Sequence, residues 1–250
     1  MAENITVTIL TKNSAKHLEE CLQALKRFDE VVILDNGSTD NTMEIARTFQ
    51  NVKVYENAFT GFGPLKILAT EKASNDWVLS IDSDEIVIKE LADEIRTLNL
   101  ETGTVYSIKR DNYYNKKKIT CCGWSNDWVN RLFNRRETGF NTNLVHESVV
   151  LNSSIQVKKL HNTLKHYTFD DTSHLIKKMD HYSTLWANDH KGKKKSSPMN
   201  AFFRGVFTFF KSYILQKGIL CGSNGLVISV SNATGTFYKY FKLYEANKPM

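Results

Sequence analysis

The chain has 250 residues, 41% of them apolar and 24% charged, with only 3 prolines and 12 glycines. That excludes wholesale disorder and collagen-like or linker-dominated architectures, and leaves room for one large domain or one domain with an appendage. The formal charge of +6 is uneven: residues 191–250 hold ten Lys/Arg against the single acid Glu245, or +9, which leaves −3 for the first 190 residues.

Four cysteines (Cys21, Cys121, Cys122, Cys221) are too few for a disulfide scaffold, and none forms a C-x-x-C pair. This predicts no structural zinc site and a reducing compartment. Residues 1–20 hold no long apolar run, so no signal peptide is expected.

In chain order, Ile5–Leu10 reads as a strand and Lys16–Phe28 as a helix, with Leu18, Leu22, Leu25 and Phe28 on one face. Val31–Leu34 is a short apolar run of buried-strand type. The next helix is expected to start near Gly37–Asn41, with Asn41 and Glu44 spaced as a capping pair. Val52–Tyr55 and Trp77–Ile81 read as strands, and Leu65–Ala73 as the helix between them. Leu91, Ile95 and Leu98 mark a further helix. This alternation predicts an α/β fold with a doubly wound, mostly parallel sheet. Ligands of such sheets bind beyond the carboxyl ends of the strands. Thr11-Lys-Asn13, Asp35-Asn-Gly-Ser38 and Asp82-Ser-Asp84 all fall there. No G-x-G-x-x-G follows the first strand and no P-loop is present, so dinucleotide and P-loop chemistry are disfavoured; Gly61-Phe-Gly63-Pro is only a fragment.

Asp82 and Asp84 sit two apart at a strand end beside Glu85. Such a pair suits Mg²⁺ or Mn²⁺ completed by substrate phosphate oxygens, or Asp84 could simply cap a helix. Two enzyme classes use it. One is the haloacid-dehalogenase-type phosphatase, although there the motif follows the first core strand. The other is the nucleotide-sugar glycosyltransferase. A membrane-bound sugar-nucleotide binding protein with a degenerate site is the non-enzymatic alternative.

Val7-Thr-Ile-Leu-Thr-Lys-Asn13, Val32-Ile-Leu-Asp-Asn-Gly-Ser-Thr-Asp40 and Trp77-Val-Leu-Ser-Ile-Asp-Ser-Asp-Glu85 resemble, in order and spacing, the three signatures of family 2 glycosyltransferases. With Gly123–Phe133, Val145-His-Glu147 and His166-Tyr-Thr168, the chain is similar to the bacterial branch of β-1,4-glucosyltransferases that builds the lipopolysaccharide inner core. The resemblance implies a GT-A (Rossmann-like) fold over residues 1–170, a C-terminal helical extension over 171–250, and inverting transfer of a hexose, glucose by expectation, from a UDP-sugar. It places Thr11, Asn13, Asp35 and Asn36 in the nucleotide pocket. The family usually has a second acid where Asn36 stands, and Asn36 keeps the hydrogen-bonding size without the charge. Lys66 stands near the diphosphate where an Arg is common, and supplies charge without a bidentate fork. Asp82, with Ser83, would face the ribose or sugar. Asp84 would bind the divalent metal, Mn²⁺ or Mg²⁺, with His166 as a later ligand and His161 and His146 as alternatives. The catalytic base would be Glu147, with Asp127 second.

Thr104–Tyr114 reads as a strand and Lys116–Lys118 as a hairpin turn. Trp124 and Trp128 flank Asp127 and suit sugar stacking, though tryptophans more often pack in cores. Ser173–His190 is a long amphipathic helix. Met199–Lys217 combines six aromatic rings with Arg204, Lys211 and Lys217, and Gly218–Tyr238 is uncharged but too polar for a transmembrane helix. Aromatic rings flanked by Lys and Arg fit a segment lying in a membrane interface. The expected partners are therefore a UDP-sugar, a lipid-linked saccharide acceptor and an anionic membrane surface, with no nucleic acid. The expected location is cytoplasmic, peripheral on the inner face of the cell membrane.

Overall fold

The computed structural model describes residues 4–144 and 147–248. The chain divides into two compact units, residues 1–110 with 127–166, and residues 111–126 with 167–250.

In the first unit, β1 (Ile5–Thr11), β2 (Glu30–Asp35), β3 (Val52–Glu56) and β4 (Trp77–Asp82) pair in parallel in the order β3-β2-β1-β4. They alternate with α1 (Ala15–Ala24), α2 (Thr42–Arg47) and α3 (Phe62–Glu71), and α4 (Lys89–Thr97) follows the short β5 (Glu85–Val87). β2 is buried along its whole length, as its unbroken apolar run requires of a strand covered on both faces. The sheet then changes direction. β8 (Asp127–Asn134) pairs antiparallel with β4 and with β6 (Thr104–Tyr114), and the order continues through β9 (Gln156–Phe169) to β5. The sequence pattern identified β6 but not β5, β8 or β9. Their residues mix polar and apolar types, because each strand carries site residues as well as core residues. The α2 cap also differs from expectation: Asn41 makes no side-chain cap, and Asp40 accepts from the Thr42 backbone N–H instead.

Glu30 ties the amino-terminal ends of the parallel strands together. It is 5% exposed and accepts from Lys53 Nζ at 2.6 Å and from both Ser74 N and Ser74 Oγ at 2.7 Å, with Thr6 Oγ1 as a further donor. Burial pushes its carboxyl up, but the hydrogen bonds from Lys53, Thr6 and Ser74 outweigh that and lower it to about 2.

In the second unit, β7 (Lys117–Lys118) pairs with the end of β6 across a turn in which Asn115 and Lys116 take positive φ. α5 (Thr172–His190), α6 (Pro198–Phe210) and α7 (Gly222–Ala246) follow, the last two separated by a π-helical turn at Lys211–Leu215 and a 3₁₀ turn at Gly218–Cys221. The uncharged, glycine-bearing stretch is explained by close backbone approach: a Cβ on Gly225 would lie 1.8 Å from the Gly218 carbonyl oxygen. Cys121 and Cys221 form a disulfide across a sequence separation of 100, a pairing that the expectation of a reducing compartment did not include. Cys21 and Cys122 are free and buried. Among the described residues no helix is long and apolar enough to cross a membrane.

The Glu30 cluster generates a stability prediction. A carboxyl held near 2 in the folded state contributes stability that is complete above the ordinary value of about 4.5 and is lost as pH falls towards 2. Glu30→Gln should lower unfolding free energy by about 1–3 kcal/mol at pH 7. Denaturant melts should show the gap from wild type closing between pH 4.5 and 2, and a gap independent of pH would remove the ionised-carboxylate explanation.

Candidate active site

The carboxyl ends of β1, β2 and β4 lie side by side, because Thr11 pairs in register with Asp35 and Leu10 with Asp82. Asp35 is an organiser. It accepts from Thr11 Oγ1 at 2.8 Å, Gly37 N at 2.9 Å, Ser38 N at 2.8 Å and Ser38 Oγ at 2.6 Å. Burial pushes its carboxyl up, and these hydrogen bonds more than offset it and hold it below the ordinary value. Asn13, at φ 51°, accepts from Thr39 N and donates its own N–H to Ser38 Oγ, locking the β1–α1 loop to the β2–α2 loop. Asn36 is different: its Oδ1 is buried without a hydrogen-bond partner. A buried acceptor without a partner is costly unless a donor from elsewhere reaches it.

Asp82 closes β4, and Ser83 and Asp84 form the tight turn into β5. The helix-cap reading of Asp84 is therefore overturned, since α4 begins only at Lys89. Ser83 Oγ donates to Ser14 Oγ at 2.8 Å. The Asp82 carboxylate is gripped from two sides, by Lys66 Nζ at 2.9 Å and by Arg131 Nη2. Arg131 also reaches Glu85, which is fully buried and accepts from the Asp82 N–H and from Arg110. Burial pushes the Asp82 carboxyl up, but Arg131 and Lys66 hold it well below the ordinary range. Burial favours loss of the Arg131 proton, and Asp82 and Glu85 outweigh it, so the guanidinium is held more firmly charged than usual.

Lys66, on α3, is 3% exposed. Its ammonium lies 3.1 Å from Glu147 Oε1 as well as 2.9 Å from Asp82, with the Phe140 ring beneath it at 5.2 Å. The loop that carries Glu147 is held against the start of α3 by Phe62 N donating to Leu144 O and Gly63 N donating to Asn143 O. A Cβ on Gly63 would meet the Asn141 carbonyl oxygen at 2.3 Å, so only glycine permits this approach. The G-x-G fragment thus has a packing role. Val145 and His146 lie outside the described residues.

Asp127 is brought to the same network by a different route. The Arg110 fork holds it with Nε at 2.9 Å and Nη2 at 3.1 Å. Trp128 packs under Lys159, whose ammonium sits 4.6 Å from the ring centroid, while Trp124 packs on Phe169 within the second unit. Glu85, Arg110 and Arg131 were not singled out from the sequence. The available signals were a charged residue between the apolar pairs Trp128-Val129 and Leu132-Phe133, and an acid directly after the D-x-D.

Register brings His166 to the acidic turn: it pairs with Glu85 across β5–β9, and its Nε2 lies 3.7 Å from Asp84 Oδ2. His161, five residues back on β9, is exposed, and its N–H is used by Glu94. Among the described residues no group of three His, Cys, Asp or Glu could hold a metal by itself. One carboxylate and one imidazole at this spacing fit two neighbouring positions around a divalent cation whose other ligands are diphosphate oxygens and water.

Comparison with known proteins identifies the family. The family described as glycosyl transferase family 2 matches residues 6–164. An uncharacterized glycosyltransferase of Rickettsia felis is 31% identical, covering 98% of this chain and 90% of that protein. The lipopolysaccharide core biosynthesis glycosyltransferase LpsC of Rhizobium meliloti is 24% identical over 96% of this chain and 92% of its own length. The phosphatase alternative is overturned by the family match over the strands that carry the acidic pair.

The buried ion cluster generates a prediction. Arg131→Met leaves Asp82 to Lys66 alone and Glu85 to Arg110 alone, and should cost about 1.5–3 kcal/mol. In a double-mutant cycle by urea denaturation, adding Glu85→Gln should recover part of that loss; strictly additive effects would show that the two side chains are not energetically coupled. The chain, with its paired strand-end loops, its D-x-D turn and its match across both, belongs to glycosyl transferase family 2.

Proposed function

We propose that this protein transfers a hexose, glucose by preference, from a UDP-sugar to a lipid-linked saccharide of the lipopolysaccharide-core type, with inversion at the anomeric carbon. Family membership supports glycosyl transfer, and LpsC, a lipopolysaccharide core enzyme similar over nearly the whole chain, supports the acceptor class. The observation that carries the mechanism is the single ammonium of Lys66 placed between Asp82 and Glu147.

Asn36 Oδ1, the open buried acceptor, takes the uracil N–H, and the loops organised by Thr11, Asn13 and Asp35 wall the nucleoside. Asp82 and Ser83 face the ribose or sugar. Asp84 and His166 would hold a divalent cation, Mn²⁺ or Mg²⁺, and the chemistry it would supply is positive charge against the diphosphate. Lys66 supplies a second charge there. When the diphosphate draws the Lys66 ammonium, the Glu147 carboxylate is released to accept the proton of the acceptor hydroxyl. The acceptor oxygen then bonds to the anomeric carbon, and the bond to the diphosphate oxygen breaks with its electron pair leaving on UDP. Asp127 is the weaker candidate for the base, because both of its oxygens are occupied by the Arg110 fork. The exposed aromatic rings of α6 and the basic tail hold the enzyme at the anionic inner face of the cell membrane, where a lipid-linked acceptor is met.

Two outcomes test this. Glu147→Gln should lower turnover by about 10²–10⁴-fold with UDP-sugar affinity nearly unchanged, because the proton moves only in the transition state. Asp127→Asn showing that pattern instead would reassign the base. Asp84→Asn should abolish Mn²⁺-dependent UDP binding, read by calorimetry, while the circular dichroism melt stays near wild type. Undiminished UDP binding by that variant in the presence of chelator would remove the metal from the mechanism, and absence of any sugar transfer by wild type would leave a binding protein.

A further inference from the structure

The groove between α6 and α7, within the second unit, encloses about 640 Å³. Arg204, Lys211 and Lys239 line it together with amide and hydroxyl groups such as Asn200, Thr208 and Asn232, and no carboxylate contributes to the lining. Two of the cations share one aromatic ring. The Arg204 guanidinium lies 4.5 Å from the Tyr240 centroid, oriented by its Nε bond to Asn200, and Lys239 Nζ lies 5.5 Å from the same centroid. Lys242, one turn further along α7, is paired with Asp180. By contrast, among the described residues none of the three groove cations forms an ion pair with a carboxylate. Like charges gathered on one ring repel one another until an anion sits between them.

The rim of this groove is apolar and faces water. Phe203 is 61% and Phe207 65% exposed, and the following turns present Leu215 and Leu220 at 73% and 77%. On the other flank of the α6–α7 contact lies a second groove of about 330 Å³, lined by Phe202, Val206, Phe209, Val230 and Phe237. A free aqueous phosphate gains nothing from such rings. A molecule with an anionic head and hydrocarbon tails satisfies both features at once.

We infer that the α6–α7 groove is a headgroup site for an anionic phospholipid. The phosphate sits among Arg204, Lys211 and Lys239, and the acyl chains lie against the exposed phenylalanine face. The inference deepens the membrane-docking part of the proposed function and rests on it. It adds a defined site where that reading requires only diffuse attraction by the +9 tail.

The test is cosedimentation of the full chain with vesicles of phosphatidylcholine, alone or with phosphatidylglycerol, beside circular dichroism melts and UDP binding. The triple variant Arg204→Gln/Lys211→Gln/Lys239→Gln should bind phosphatidylglycerol vesicles on the order of 100-fold more weakly at low salt. The loop variant Lys191→Gln/Lys193→Gln/Lys195→Gln, which spares Lys194 because its ammonium also lies 5.9 Å from the Tyr240 centroid, removes as many charges and should lose less. Phe203→Ser/Phe207→Ser should weaken binding at every salt concentration. If the triple variant does not fold, Lys211→Glu alone carries the test, with at least about a tenfold loss expected. A larger loss for the loop variant than for the groove variant would overturn the site and leave diffuse attraction in place. So would stabilisation of wild type by inorganic phosphate with no advantage for phosphatidylglycerol vesicles. Wild type that ignores anionic vesicles at low salt would overturn both the site and the membrane reading, while UDP binding, measured separately, decides the glycosyltransferase reading.

Discussion

The carboxylate of Asp82 cannot stand alone at the end of a buried strand. Everything around the candidate active site follows from the two cations that hold it. Arg131 reaches it from β8 and extends the grip to Glu85, while Lys66 reaches it from α3 and extends the grip to Glu147. Removing Arg131 would leave Asp82 to Lys66 alone and the fully buried Glu85 to Arg110 alone, so less positive charge would offset the desolvation of the Glu85 carboxylate. The antiparallel half of the sheet is thereby fastened to the parallel half at the one edge where a donor sugar would bind.

This arrangement makes the site both stiff and poised. The Asp35 loop is saturated with internal hydrogen bonds and serves as a preformed wall. Asn36 Oδ1 is left open within it. Glu147 depends on one lysine that has a second carboxylate to hold, so a third anion entering the site would redistribute that ammonium without disturbing the strands. The loop that carries Glu147 is docked on α3 through Gly63, so the position of this carboxylate is set by backbone packing as well as by the Lys66 ammonium.

The second unit follows different physics. Helix α6 buries the small residues Ala201 and Gly205, while its rings Phe202, Phe203, Phe207 and Phe210 remain exposed. A water-soluble helix ordinarily does the reverse, and this exposed apolar face is the basis of the proposed lipid contact. The groove cations Arg204, Lys211 and Lys239, which form no ion pair among the described residues, would supply its polar half.

Length, apolar periodicity and strand-end polarity were sufficient to read the parallel strands β1 to β4, their helices and the three loops they present. These are local patterns, and each is written within about ten consecutive residues. The resemblance to family 2 rested on those same loops and was borne out by the family match. What local patterns could not carry was pairing between distant residues. His166 beside Asp84 depends on β5–β9 register, Glu147 beside Lys66 depends on backbone bonds from a loop eighty residues downstream, and Cys121 bonded to Cys221 depends on the fold of the second unit. Glu85, Arg110 and Arg131 escaped notice because a charge in a strand acquires meaning only from the opposite charge that folding places against it. The sequence by itself determined which residue types stand at each strand end. Only the tertiary structure decided which of them share an ammonium, because electrostatic and hydrogen-bond energies act over a few ångströms of space and are indifferent to separation along the chain.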